Sequence, residues 1–283
     1  NNEVKQILRK NQKGVPEKSV KKEMKKLIVI LGPTASGKSD LAIKLAKKFR
    51  GEIVSADSRQ IYKGLDIGTA KITKEERKGI PHYLLDIKKP NQIYTVGQFK
   101  KEAVKTINKI IRKGKIPFLV GGTGLYIKAV VDNLEIPQVK PDLKLRKKFE
   151  SIIAKRGLKI LYEKLIKIDP EAAYIVDEKN PRRVIRALEV AITTKKPFSE
   201  LRKIGRPIFN FLQIGLNPGE KKLKERIEKR MNKMIKQGLV REVEGLIKIY
   251  DKNLPTFDAI GYREIIDYLD QKYSFEEAIS KIN

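Results

Sequence analysis

The segment Gly32-Pro-Thr-Ala-Ser-Gly-Lys38-Ser39 has the spacing G-x-x-x-x-G-K-S, which suits one kind of chemistry, the grip on a pyrophosphate. Successive backbone N–H groups and the start of a following helix favour a polyphosphate. Lys38 adds a point charge, and the Ser39 hydroxyl can ligate Mg²⁺. Gly32, Pro33, Thr34, Ala35, Ser36 and Gly37 are therefore candidate diphosphate contacts together with Lys38 and Ser39. The loop does not distinguish ATP, GTP or another pyrophosphate.

Further residues have types suited to a reaction. Asp57 lies about twenty residues beyond the loop and reads as a Mg²⁺ partner, a general base or a simple helix cap. Ser58, Arg59 and Gln60 follow it, and a glutamine can hydrogen-bond an adenine edge in two places. Thr123 sits in Gly121-Gly-Thr-Gly124, either facing a crevice or closing a plain turn. Arg226 and Arg230 are four residues apart on one helical stripe, placed to reach a phosphate or to be solvated. Arg182, Arg183 and Arg186 form a second basic cluster, opposite Val184, Ile185 and Leu188. His82 has no visible partner and reads as structural rather than catalytic.

These residues need elements to carry them. Leu27–Leu31 is a short β-branched run suited to a buried parallel strand, and the phosphate loop leads from it into a helix bearing Leu41, Ala42, Leu45, Ala46 and Phe49. Gly51 is expected to end that helix, and 52–57 to be a second strand ending at Asp57. Residues 82–87 predict another strand; Thr95-Val-Gly-Gln98 predicts a capping box that opens a helix terminated at Gly114. Ile116–Val120 predicts a strand feeding the glycine-rich loop. In an open α/β sheet such loops form the crevice at the carboxyl ends of the strands, so 32–39, 57–60 and 121–124 should converge. From Pro141 to about Phe198 the pattern is helical and charged, with Asp169-Pro170 and Asn180-Pro181 as helix starts. A strand returns at 209–216, and two helices split by Gly238 follow. The expected architecture is α/β, a P-loop NTPase-like parallel sheet flanked by helices. Its core is 27–132 plus 207–283, with a helical insertion domain at 133–206 and a basic N-terminal extension at 1–26.

Across 283 residues, 63 Lys plus Arg stand against 34 Asp plus Glu, a net charge of +29 that points to a polyanionic partner or to a lysine-rich proteome. There is no cysteine, which excludes disulfides and thiolate metal sites, and the single histidine excludes a multi-histidine centre. No apolar run reaches the roughly 20 residues that span a bilayer, and the basic amino terminus has no apolar centre. A cytoplasmic protein, monomeric and without a membrane partner, is expected.

Several stretches together resemble the tRNA dimethylallyltransferases, also called tRNA isopentenyltransferases, of bacterial type. They are GPTASGKSDLA at 32–42, EIVSADSRQIYKGLDIGTAK at 52–71, PHYLLDI at 81–87, FLVGGTGLYIKA at 118–129, PRRVIRALEV at 181–190, RIEKRMNKMIKQGL at 226–239 and AIGYREI at 259–265. The resemblance implies transfer of a dimethylallyl group from its diphosphate to the exocyclic amine of the adenosine 3′ of the anticodon, with Mg²⁺ required. It implies that the phosphate loop holds the prenyl diphosphate. Lys38, Ser39 and Arg230 would then neutralise charge on the departing diphosphate, and Asp57 would take the amine proton. Ser39 and Asp57 would attend the metal, and Thr123 would lie near the reacting carbon. The tRNA anticodon stem-loop would meet Asp57, Ser58, Arg59, Gln60, Thr123, Arg146, Arg182, Arg183, Val184, Ile185, Arg186, Asp258, Gly261, Tyr262 and Arg263, with a flipped base in the pocket. It further implies a basic, aromatic segment beyond Asn283 that touches the anticodon stem. The rivals are a transferase acting on free adenylate, a P-loop small-molecule kinase and a noncatalytic RNA-binding protein.

Overall fold

The computed structural model describes residues 25–282 other than 138 and 202; the expected basic extension lies, but for its last two residues, outside them. The chain begins with β1 (Lys26–Leu31), the phosphate loop and α1 (Lys38–Lys48). It continues through β2 (Gly51–Ser55), β3 (His82–Tyr83), α2 (Val96–Arg112), β4 (Ile116–Gly121) and α3 (Gly124–Val131). The strands are joined by β5 (Asn210–Gly215) into one five-stranded parallel sheet of order β3-β2-β4-β1-β5. The P-loop NTPase-like α/β fold is thus present.

Alternation along the strands sends neighbouring side chains to opposite faces. Ile30, Ile53, Phe118 and Val120 pack against Ala42, Ile43 and Ala46 of α1. Val29, Val54 and Leu119 face the other way, onto Phe99, Ala103, Ile107 and Ile110 of α2. Both layers leave the carboxyl ends of β1, β2 and β4 open to the loops that follow. Thr95 closes the expected capping box, its hydroxyl accepting from the Gln98 N–H while the Gln98 side chain accepts from the Thr95 N–H.

Local expectations differ at three places. The first helix ends at Phe49 and turns through Arg50, whose φ is 52°; Gly51 instead opens β2, where an added Cβ would lie 2.3 Å from the Phe118 ring. The strand expected over 82–87 stops after Tyr83, because Leu84 and Asp86 adopt φ of 61° and 55° and cannot continue a pleat. The second strand ends at Ser55, which places Asp57 on the loop rather than in the sheet.

Residues between the third helix and β5 form α4 (Leu143–Arg156), α5 (Lys159–Ile168), a 3₁₀ turn (Pro170–Tyr174), α6 (Pro181–Thr194) and α7 (Phe198–Leu201). They close around their own cluster of Phe149, Leu161, Leu165, Val184 and Leu188. Asn180 caps α6 by accepting from the Arg183 N–H, whereas Asp169 receives Ser199 N–H and O–H instead of capping its turn. After β5 come α8 (Glu220–Gln237) and α9 (Leu239–Ile249), divided by left-handed Gly238. A 3₁₀ turn (Pro255–Asp258), α10 (Tyr262–Leu269) and α11 (Phe275–Ile282) then pack onto the main core. Among the described residues no helix is long and apolar enough to cross a membrane.

Candidate active site

The phosphate loop is shaped by two left-handed residues, Ala35 and Gly37, with φ of 61° and 91°. Gly37 heads α1 without any side-chain cap, so the first N–H groups of that helix remain directed outward. Gly32 has no room for a side chain: a Cβ there would lie 2.7 Å from the Leu216 carbonyl oxygen and 2.8 Å from the Ser36 hydroxyl. That hydroxyl is buried and without a hydrogen-bond partner. Lys38 bends back, its Nζ donating to the Pro33 carbonyl at 2.8 Å. Burial lowers its pKa, Asp57 opposes that, and Arg230 adds to the lowering.

The other two loops close against this one. A Cβ on Gly121 would sit 2.2 Å from the Ala56 carbonyl oxygen, so only glycine lets β4 approach the loop after β2. Thr123 then joins them: its Oγ1 accepts from the Ser58 N–H at 3.0 Å and donates to the Ser58 hydroxyl at 3.3 Å. Asp57 Oδ1 accepts from the Arg59 and Gln60 N–H groups at 2.8 and 3.3 Å, which fixes the carboxylate on its turn. Among the described residues Oδ2 takes no protein hydrogen bond.

Asp57 shares a cleft of about 80 Å³ with Thr34, Lys38, Ser39, Gln60, Gly121 and Arg230, closed on the inner side by Ile53, Ile72, His82 and Val120. Thr34, Asp57 and Arg230 also border a wider cavity of about 410 Å³, whose apolar wall is Ile227, Met231 and Met234. The three expected loops therefore meet around one carboxylate and two cations. His82 reaches the inner wall, but its Nδ1 lies 2.8 Å from the Ile80 carbonyl and burial lowers its pKa.

The α8 arginines both reach the loops of the site, Arg226 from an exposed position and Arg230 from a partly buried one. Arg226 donates through Nη1 to the carbonyls of Ser36 and Ala35 at 3.3 and 3.4 Å, bracing the phosphate loop from outside. Arg230 donates to the Thr69 carbonyl at 3.1 Å and faces the cleft; burial lowers its pKa and Asp57 opposes the shift.

Several expected RNA contacts are engaged within the protein. Gln60 Nε2 donates to the Thr69 and Ala70 carbonyls at 3.1 and 3.4 Å, so its amide is not free for two-point reading of an adenine edge. Arg59 Nη1 donates to the carbonyls of Pro255 and Thr256 at 2.9 and 3.1 Å. Arg146 grips the fully buried Glu189 through Nε and Nη2, both at 2.7 Å, and Arg186 binds the same carboxylate at 2.6 Å. Both are held by packing needs before any phosphate arrives. Asp258 receives Arg182 and Arg263; burial alone would raise its pKa, but those two hydrogen bonds hold it low.

Four residues of that set do not present side chains to a partner. Val184 and Ile185 lie in the core of the helical unit at 0% and 7% exposure, because the apolar stripe of α6 faces inward. Tyr262 is fully buried, and its hydroxyl donates to Glu242 at 2.6 Å. Gly261 is buried with φ of 94°, its N–H donating to the Glu264 carboxylate. Arg183 is the member of the α6 cluster whose guanidinium has no protein partner among the described residues. Sequence reading also missed Glu242 and Thr69, which organise the loop behind Arg230; the one signal was Glu242 beside the apolar stripe Leu239, Val243 and Leu246.

Comparison with known proteins finds close relatives of this chain. A family model described as "IPP transferase" fits residues 60–283. The chain is 46% identical over 262 residues to the tRNA dimethylallyltransferase of Thermoanaerobacter sp. (strain X514), covering 90% of this chain and 83% of that one. It is 47% identical over 260 residues to the enzyme of the same name from Acetivibrio thermocellus, with the same coverage. Among solved structures, the tRNA isopentenylpyrophosphate transferase of Bacillus halodurans superposes with a TM-score of 0.66 at 41% identity, over 91% of this chain and 82% of that one. A eukaryotic dimethylallyltransferase acting on tRNA gives 0.73 at 32% identity, over 91% of this chain and 66% of that one. The chain belongs to the tRNA dimethylallyltransferase family, a family of prenyltransferases.

Proposed function

We propose that this protein transfers a dimethylallyl group from dimethylallyl diphosphate to the exocyclic amine of the adenosine 3′ of the anticodon in tRNA, releasing diphosphate. The observation that carries the reading is Asp57. Its Oδ1 is fixed by two backbone N–H groups, its Oδ2 takes no protein hydrogen bond among the described residues, and the residue lines the cleft together with Lys38 and Arg230. A carboxylate so placed accepts the proton of an attacking amine, and two cations opposite stabilise a departing diphosphate. The amine nitrogen forms its bond to the first carbon of the prenyl chain as that carbon's bond to the diphosphate oxygen breaks. The N–H proton passes to Oδ2, and the electron pair of the broken bond leaves on the diphosphate.

Glycines 32 and 37 and the uncapped start of α1 offer N–H groups to the diphosphate, and Thr34 and Ser39 add hydroxyls at the rim. The residues suit Mg²⁺. Ser39 and Asp57 are hard oxygen donors on the same cleft, and among the described residues no group of three His, Cys, Asp or Glu side chains forms a cage. That pattern fits a cation that takes most ligands from phosphate and water. When bound, Mg²⁺ supplies neutralisation of diphosphate charge. Thr123 holds the 57–60 turn against the glycine-rich loop, which keeps Asp57 in register with Lys38.

The helical unit at 133–206, read as an insertion domain, supplies the RNA-facing basic surface through Arg182 and Arg183, with the 258–263 segment beside it. The wider cavity bordered by Asp57 and Met231 would admit the flipped adenine. The protein would act as a cytoplasmic monomer.

The test is to incubate the protein with Mg²⁺ and dimethylallyl diphosphate, with an anticodon stem-loop, AMP or ATP as partner, and to weigh the products. Prenylated RNA is expected. Product with AMP alone would move the assignment to free nucleotides, and phosphoryl transfer from ATP without prenylation would overturn it.

A further inference from the structure

We infer that Glu242, which lies outside the cleft, is a positioning residue that aims Arg230 at the diphosphate by holding the 66–69 loop from behind; this deepens the prenyl-transfer reading and rests on it.

Glu242 extends from α9 into the back of that loop. Its Oε2 accepts from the N–H groups of Ile67 and Asp66 at 2.7 and 3.1 Å. Its Oε1 accepts from the Gly68 N–H at 3.1 Å and from the Tyr262 hydroxyl at 2.6 Å. Four donors thus converge on one side chain, three from the 66–68 loop and one from Tyr262. Only a carboxylate can accept on both oxygens, since an amide would set its own N–H₂ against incoming donors. The fit is close: a Cβ on Gly68 would lie 2.5 Å from the Tyr262 ring, so the loop lies directly on the tyrosine that helps orient Glu242.

The other side of the loop faces the cleft. The carbonyl of Thr69, next to Gly68, accepts from Gln60 Nε2 and from Arg230 Nη2, both at 3.1 Å. The Thr69 hydroxyl donates to the Leu65 carbonyl at 2.6 Å, and Lys71 pairs with Asp66 and Asp86 at 2.6 and 2.5 Å, so the loop is tied internally between its back and its cleft side. Displacing its back face therefore displaces the acceptor that orients both cleft residues. A brace that only joined α9 to the core would have no such connection to the guanidinium.

The experiment compares Glu242→Gln with the wild type in the full chain, alone and combined with Arg230→Ala. It reads kcat and KM for prenyl transfer, the Kd for inorganic pyrophosphate and the Kd for the anticodon stem-loop. Glu242→Gln is expected to weaken pyrophosphate binding and to lower kcat, each by roughly tenfold, as misplacement of a cleft cation by under an ångström does. Stem-loop affinity should stay within about twofold, and in the Arg230→Ala background most of the pyrophosphate effect should vanish, because coupled residues are non-additive. Wild-type pyrophosphate affinity in Glu242→Gln, or an undiminished effect in the double variant, would overturn the inference. If Glu242→Gln does not fold, Tyr262→Phe removes one donor of the four and should show the same pattern at about threefold; unchanged pyrophosphate binding there would count against it equally. A wild type that binds pyrophosphate but transfers no prenyl group would defeat the functional reading alone, since the pyrophosphate comparison stands without it.

Discussion

Arg230 of α8 donates to the carbonyl oxygen of Thr69, 161 residues earlier in the chain, and so enters the cleft opposite Asp57 with its direction already set. Lys38 approaches the same space, and burial lowers the pKa of both cations while Asp57 opposes each shift. Two half-buried cations opposite a carboxylate form a site tuned for a dianionic or trianionic group. Arg230→Ala and Lys38→Ala should each weaken inorganic pyrophosphate binding by about 10²-fold, measured by calorimetry. Neither should change the far-ultraviolet circular dichroism spectrum.

Asp57→Asn keeps the turn, because an amide oxygen can still accept from the Arg59 and Gln60 N–H groups. It removes the proton acceptor. Single-turnover prenyl transfer should fall by about 10²–10⁴-fold, while stem-loop affinity in a filter-binding assay changes little. Near-normal turnover would rule Asp57 out as the base.

Arg183 and Arg146 should behave in opposite ways although both belong to the basic helical unit. Arg183 has no protein partner for its guanidinium among the described residues. Arg183→Ala should weaken RNA binding and make the slope of log K against log salt shallower by about one. Arg146→Ala leaves the buried Glu189 with Arg186 and the Asp142 N–H but without its two-point grip, and should cost roughly 2–4 kcal/mol of stability, visible in urea unfolding. Its effect on the salt slope should be small.

Glu52 at the amino end of β2 is nearly fully buried and meets Lys115, Tyr83 and Lys113. Burial by itself would raise its pKa, but the three hydrogen bonds overcome this and bring it from 4.5 to about 2. A folded-state pKa below the unfolded one contributes stability that is complete above pH 4.5 and is lost as pH falls through about 2. With the half-exposed lysines discounted for screening, the loss is roughly 2 kcal/mol. Urea titrations at pH 7, 4.5 and 3 should show stability falling below pH 4.5 in the wild type and a flatter dependence in Glu52→Gln.

Much of this molecule is legible in its residues. The phosphate loop between β1 and α1, the Thr95 capping box and the Asn180 cap all depend on neighbours within a few positions, and each formed where its residue types require. The parallel sheet follows from apolar runs separated by helical patterns. Local rules failed where tertiary contacts decide: Gly51 is a glycine because the Phe118 ring fills its side-chain space, not because it ends a helix. The strand expected over 82–87 is cut short where Leu84 and Asp86 turn with positive φ, with Asp86 paired to Lys71.

The sequence by itself determined which chemical groups are present and on which local element each rides: a phosphate loop, a carboxylate after a strand, and arginines at helical spacing. Only the tertiary structure decided which of those groups are available. A charged side chain has the same identity whether it faces solvent, a ligand or a buried counter-ion, and that choice is made by residues far away in the chain. Thus Arg230 is directed into the cleft by Thr69, and Arg146 and Arg186 are held by Glu189. Val184, Ile185 and Tyr262 are taken into the core, and Glu242, unremarkable on its helix, receives four hydrogen bonds behind the site.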